Sequence, residues 1–79
     1  MEFILEKNVH MYNHRLTIKH NDCTYVCIIE DNPSSKNDLL IWLKDFDFPQ
    51  EFETPVRAEL YRWLMKQGYT CSFKDGKRV

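Results

Sequence analysis

The sequence predicts a single small α+β domain over residues 1–79, and three observations carry that expectation. Residues 15–20 alternate, with Leu16 and Ile18 on one face and Arg15, Thr17 and Lys19 on the other. Residues 23–30 are rich in β-formers, and Asn21-Asp22 between the two runs tolerate the left-handed backbone of a two-residue hairpin. Thr54-Pro55 and Gly68 punctuate an amphipathic helix.

Each element follows in order. Residues 3–6 are short and apolar enough for a first strand. The Asn21-Asp22 loop fixes the register of the next two. On one side it sets His20 against Cys23, Ile18 against Tyr25, Leu16 against Cys27 and His14 against Ile29. This side reads as the core. On the other side, Lys19 meets Thr24, Thr17 meets Val26, Arg15 meets Ile28 and Asn13 meets Glu30.

Residues 31–35 read as a turn. A helix is expected next, because Leu39, Trp42, Leu43 and Phe46 fall at i, i+3, i+4 and i+7, and Ser35 with Asp38 resembles a capping box. In the second helix Thr54 is the expected cap and Pro55 the first helical residue. Val56, Leu60, Trp63 and Leu64 form its buried face, and Gly68 its left-handed stop. Residues 69–74 alternate again as a strand. Asp75-Gly76 marks a turn, and residues 77–79 are expected to return briefly. The predicted order is β-β-β-α-α-β: an antiparallel sheet of three to four strands with two helices on one face.

Composition narrows the function. The net charge is −1, which excludes both a uniformly basic nucleic-acid binder and an acidic nucleic-acid mimic. The charge is unevenly placed: residues 1–29 sum to 0, residues 30–53 to −5 and residues 54–79 to +4. No apolar run is long enough for a membrane helix, and no leader peptide is visible. With an odd number of cysteines, Cys23, Cys27 and Cys71, a reducing cytoplasmic setting is expected.

No metal or cofactor is expected. On a strand, Cys23 and Cys27 stand about 13 Å apart, too far to share one zinc. The two glycines serve a cap and a turn, so no phosphate loop exists. His20 opposite Cys23 is a possible nucleophilic pair, but it lies at a hairpin end with no pocket, so a non-enzymatic protein is expected.

Three surfaces are candidates for binding. Val26 and Ile28 lie on the sheet face that the helices are expected to leave open. Asp45, Asp47, Phe48, Glu51, Phe52 and Glu53 alternate acids with rings, as a docking rim would, with rings as anchors and carboxylates for steering. Arg57, Arg62, Lys66, Lys74, Lys77 and Arg78 form a basic C-terminal third suited to phosphates, although Glu59 interrupts it.

Met1-x-Phe3-Ile4, His10-Met11, the hairpin ending in Glu30-Asp31 and Ser34-Ser35 followed by Trp42 resemble the small type I-F anti-CRISPR proteins of phages. The resemblance spans residues 1–43 with a gap, and the strand at residues 69–74 departs from it. It implies a phage or mobile-element inhibitor that binds a host defence complex without catalysis, with Glu30 as a contact. The leading expectation is therefore a protein-interaction module, monomeric or dimeric. A small nucleic-acid-binding regulator is the alternative.

Overall fold

The computed structural model describes residues 1–78. Its elements are β1 (Glu2–His10), β2 (Asn13–His20), β3 (Cys23–Asp31), β4 (Asp38–Trp42), two 3-10 turns (Leu43–Phe46 and Gln50–Phe52), α1 (Glu53–Lys66) and β5 (Thr70–Lys74). The five strands form one sheet in sequence order, β1-β2-β3-β4-β5. The first three pairings are antiparallel and β4–β5 is parallel. The parallel pair follows from connectivity: β5 is reached through α1, and a helical crossover returns the chain in the same direction.

The hairpin of β2 and β3 is the element most fully written in the sequence. Asn21 and Asp22 both take left-handed φ, 50° and 64°. All eight cross-strand pairs from Asn13↔Glu30 to His20↔Cys23 form as the two-residue loop requires.

The first expected helix is instead β4 followed by a 3-10 turn. The sheet is therefore mixed and five-stranded, and α1 is the one α-helix among the described residues. A short apolar run bounded by turns fits a buried strand as well as a helix. Here Leu39 and Ile41 alternate into the core, with no exposure, while Asn37 takes φ 60° and blocks helical entry. Asp38 caps nothing; it is buried against β5.

Helix α1 begins one residue before Thr54, running on from the 3-10 turn, and no side chain caps it. Its end is as expected. Gly68 (φ 92°) lets the Gly68 N–H reach the Met65 carbonyl at 3.1 Å and the Tyr69 N–H reach the Leu64 carbonyl at 2.9 Å. These two bonds satisfy carbonyls that the helix end leaves free. Residues 77 and 78 form no strand, and Val79 lies outside the described residues.

One core holds the layers together. Leu16 and Ile18 of β2, Cys27 and Ile29 of β3, and Leu39 and Ile41 of β4 pack against Val56, Leu60 and Leu64 of α1. Leu43, Phe46 and Phe48 close one end of it. The helix covers one sheet face and leaves the other open. None of the helices is long and apolar enough to cross a membrane.

Candidate functional site

The sheet is least regular where β1 meets β2. Pairing runs in step from Glu2↔Lys19 to Glu6↔Arg15 and resumes at His10↔Asn13. Lys7, Asn8 and Val9 thus stand opposite the single residue His14. Such a bulge removes a backbone N–H from the ladder, and a buried orphan donor is costly. His14 supplies the missing acceptor: its Nδ1 takes the Asn8 N–H at 2.8 Å. The other nitrogen, Nε2, lies 2.8 Å from Asp31 Oδ1. Because Nδ1 accepts a backbone donor, the hydrogen-bond network assigns the ring proton to Nε2, which donates to Asp31. Lys7 approaches the same Asp31 oxygen at 3.9 Å and lies 4.4 Å above the Tyr69 ring.

Beside this relay, a cleft of about 570 Å³ opens between the β1–β2 turn, residues 32–37 and the segment after α1. Lys7, Tyr12, Asp31, Lys36, Asn37 and Tyr69 line it. The 32–37 wall is rigidly tied. Asn32 Oδ1 accepts the Ser34 N–H at 2.9 Å, and the Asn32 N–H donates to the Asp38 carbonyl at 2.9 Å. The Asn37 carbonyl accepts the Thr70 N–H at 3.0 Å. Asp38 anchors the wall to β5, accepting from Thr70 Oγ1 at 2.5 Å, Ser72 Oγ at 2.8 Å and Asn32 Nδ2 at 2.9 Å. Burial alone pushes the Asp38 carboxyl upward. The hydrogen bonds from Thr70, Asn32 and Ser72, with the nearby Lys74 charge, outweigh that and hold it below the usual carboxylate range.

The rim of the cleft is the turn between β1 and β2. Met11 sits there with φ 54° and is 71% exposed. Tyr12 beside it is 73% exposed, and Val9 is also exposed. A non-glycine residue in the left-handed region costs roughly 1–2 kcal/mol. Glycine or asparagine fills such positions cheaply. This turn instead presents a long apolar side chain to water, next to a tyrosine and a concave surface.

The sequence-predicted surfaces fare differently. Val26 (51% exposed) and half-buried Ile28 lie on the open face, as expected. There they extend two cross-strand rows, Ile4–Thr17–Val26 and Glu6–Arg15–Ile28, the second carrying an Arg15–Glu6 ion pair at 3.2 Å. Glu30 lines the cleft and also receives the Arg78 guanidinium at 3.2 Å.

The rings of the acid–aromatic rim turn inward, while Asp47 and Glu51 stay exposed. Phe48 is buried, stacked on Phe46 at 5.5 Å and edge-on to Tyr25 at 5.6 Å. Phe52 packs half-buried against His20 at 5.1 Å. Its ring and that of Phe48 are therefore core contacts rather than free anchors. Asp45 accepts the Arg78 N–H, Asp47 faces Lys77 at 3.6 Å and Glu53 pairs with Lys44 at 2.8 Å, while Glu51 is exposed.

The six cations do not share one surface. Arg57 lies over Phe73 of β5 at 5.0 Å, whereas Arg62 and Lys66 line a groove with Met1, Glu2 and Phe3 of β1. Those strands are opposite edges of the sheet. Lys74 is exposed on β5, and Lys77 and Arg78 are engaged by Asp47, Asp45 and Glu30.

The thiols are poor nucleophiles where they are buried. Burial, with the Asp45 charge, pushes Cys27 up to about 12, against a smaller opposing effect of Arg78. Burial, with the Asp38 charge, pushes Cys71 up to about 11. Cys23 is exposed, and burial and contact with Cys23 both raise the Tyr25 hydroxyl. Among the described residues, no group of three or more His, Cys, Asp or Glu could hold a metal ion. No protein-family model, curated protein or solved structure matches the chain.

Two parts of this end went unread in the sequence. His14 carried a usable signal: a polar ring on the core side, opposite Ile29, requires partners. Met11 and Tyr12 carried none, since neither residue type marks a turn.

Proposed function

We propose that this chain is a non-enzymatic protein-interaction domain whose partner docks on the end of the sheet formed by Met11, Tyr12 and the adjacent cleft. The observation that carries the reading is Met11. A left-handed backbone and an exposed apolar side chain are each unfavourable in the free protein, and contact with a partner offsets the second. Strain of this kind concentrates at functional positions. Tyr12 supplies a second, amphipathic contact of the type enriched at interfaces.

The titratable groups nearby support binding over catalysis. Both His14 nitrogens are bonded, Asp31 is engaged by His14 and Lys7, and Asp38 accepts three hydrogen bonds. Each is engaged in a hydrogen bond or ion pair that ties one part of the fold to another. The resemblance of residues 1–43 to the anti-CRISPR proteins makes a subunit of a host nucleoprotein defence complex the partner class to examine first. Within that reading Glu30, on the cleft wall, is a contact, and the open face with Val26 and Ile28 is the competing surface.

The test is capture from a lysate of the organism that encodes the chain, after nuclease treatment, with the native protein, Met11→Asn/Tyr12→Ser and Val26→Lys. The proposal expects a stoichiometric protein band with the native chain and Val26→Lys, lost with Met11→Asn/Tyr12→Ser. Loss with Val26→Lys alone moves the interface to the open face. A catch abolished by nuclease returns the choice to nucleic acid.

A further inference from the structure

We propose that His14 and the β1 bulge form a proton-responsive latch, in which proton uptake by the ring releases the Asn8 N–H and opens the bulge. The inference stands on the geometry of His14 alone, whether or not a partner docks at this end.

The argument starts from satisfied valences. His14 is fully buried, and each nitrogen has one partner. Nδ1 accepts from the Asn8 backbone, whose N–H the bulge has taken out of the ladder. Asn8 itself is left-handed, at φ 56°. A second proton on the ring must go to Nδ1. Two N–H groups then point at each other across 2.8 Å, and the bond cannot persist. The imidazolium keeps its Nε2–H···Asp31 contact, now charge-assisted on both sides. The two ring states therefore make incompatible demands on the bulge and compatible demands on β3. Protonation opens β1 at Asn8 while the sheet stays paired beyond it.

The groups facing the ring set the response. Asp31 from β3 favours the charged ring, and Lys7 from β1, 3.9 Å from the same carboxylate oxygen, opposes it. The groove beside Lys7 is completed by Leu5, Trp63, Gln67 and Tyr69, and from the segment after α1 it brings in the Tyr69 hydroxyl. Glu6 and Arg15 are paired with each other on the far face of the sheet. The Met11–Tyr12 turn beyond is held separately, by the His10↔Asn13 pair and by the Asp31 N–H donating to the Tyr12 carbonyl at 3.2 Å, so the response is confined to the bulge.

The experiment is a proton and nitrogen NMR titration of the isolated chain from about pH 8 to pH 5, with amide exchange measured at both ends. At the alkaline end, the His14 nitrogen shifts should show the Nε2–H tautomer and a protected Asn8 amide. On acidification, the Asn8 amide should shift with the same midpoint as the His14 ring. The Asn8 protection factor should fall about tenfold, as for loss of one net hydrogen bond. In Asp31→Asn that shared midpoint should move to lower pH, because the ring loses its counter-charge. An Nδ1–H tautomer at neutral pH, a His14 titration that leaves Asn8 protected, or no His14 titration while the fold persists would each overturn the proposal.

Discussion

Replacing Asp38 with alanine should cost about 3–4 kcal/mol, a large share of the roughly 4–12 kcal/mol available to a domain of this length. The figure follows from three side-chain hydrogen bonds to one buried carboxylate, from Asn32, Thr70 and Ser72. A bond to a charged acceptor contributes up to roughly 1.5–3 kcal/mol. Thr70 is exposed and Ser72 half-buried, so their hydroxyls recover water on truncation, and the sum falls toward about 1 kcal/mol per bond. Asp38→Asn retains one acceptor oxygen and should cost about half as much. Urea unfolding near pH 7 measures both. The pH dependence gives a second reading. The folded carboxyl titrates below its ordinary value, so its contribution is complete above that value and is lost as pH falls through the lowered one. The gap between the native chain and Asp38→Ala should therefore narrow only as pH falls below the ordinary carboxylate range. A loss under about 1 kcal/mol near pH 7, or a gap unchanged in acid, would refute the role given to this carboxylate.

Three further outcomes are expected. Gly68→Ala should lose about 1–2 kcal/mol in thermal or urea unfolding; nothing lies within 4 Å of the added Cβ, so the whole cost is the left-handed backbone. Leu60→Ala, at a site with no exposure, should cost about 2–5 kcal/mol and leave the chain near its unfolding limit by circular dichroism. A thiol reagent near pH 7.5 should modify Cys23 rapidly and leave Cys27 and Cys71 unreacted until guanidinium is added, because burial holds the latter two at about 12 and about 11. Equal labelling of all three in the native state would contradict that.

The β2–β3 hairpin and the end of α1 were legible because local chemistry decides them. Asn21-Asp22 dictate a two-residue turn, and the turn dictates every pair that follows. Gly68 can do what few residues can, and Tyr69 folds back onto the Leu64 carbonyl behind it. Residues 38–46 were not legible, because Leu39, Ile41, Leu43 and Phe46 are all buried and satisfy a helical and an extended pattern alike. Their conformation is decided by β5, more than thirty residues away in sequence, through Thr70 and Ser72 bonding Asp38. The same distance hid the candidate site. His14 could be placed on the core side, but its partners, Asn8 and Asp31, come from two different strands and meet only because β1 bulges. The phenylalanines of residues 45–53 fit a core edge as readily as a docking rim. Alternation with acids alone does not choose between the two, and in the structure Phe46 and Phe48 close the core while Asp45 holds the Arg78 backbone.

The docking end is tested most directly by photo-crosslinking in the cell that makes the protein. A benzophenone side chain would replace Tyr12 in one variant, Val26 on the open face in a second, and Tyr61 on the exposed side of α1 in a third. The account predicts a discrete protein adduct from position 12 and none from positions 26 and 61. An adduct from position 26 or 61 without one from position 12, or no adduct from any of the three, would contradict it.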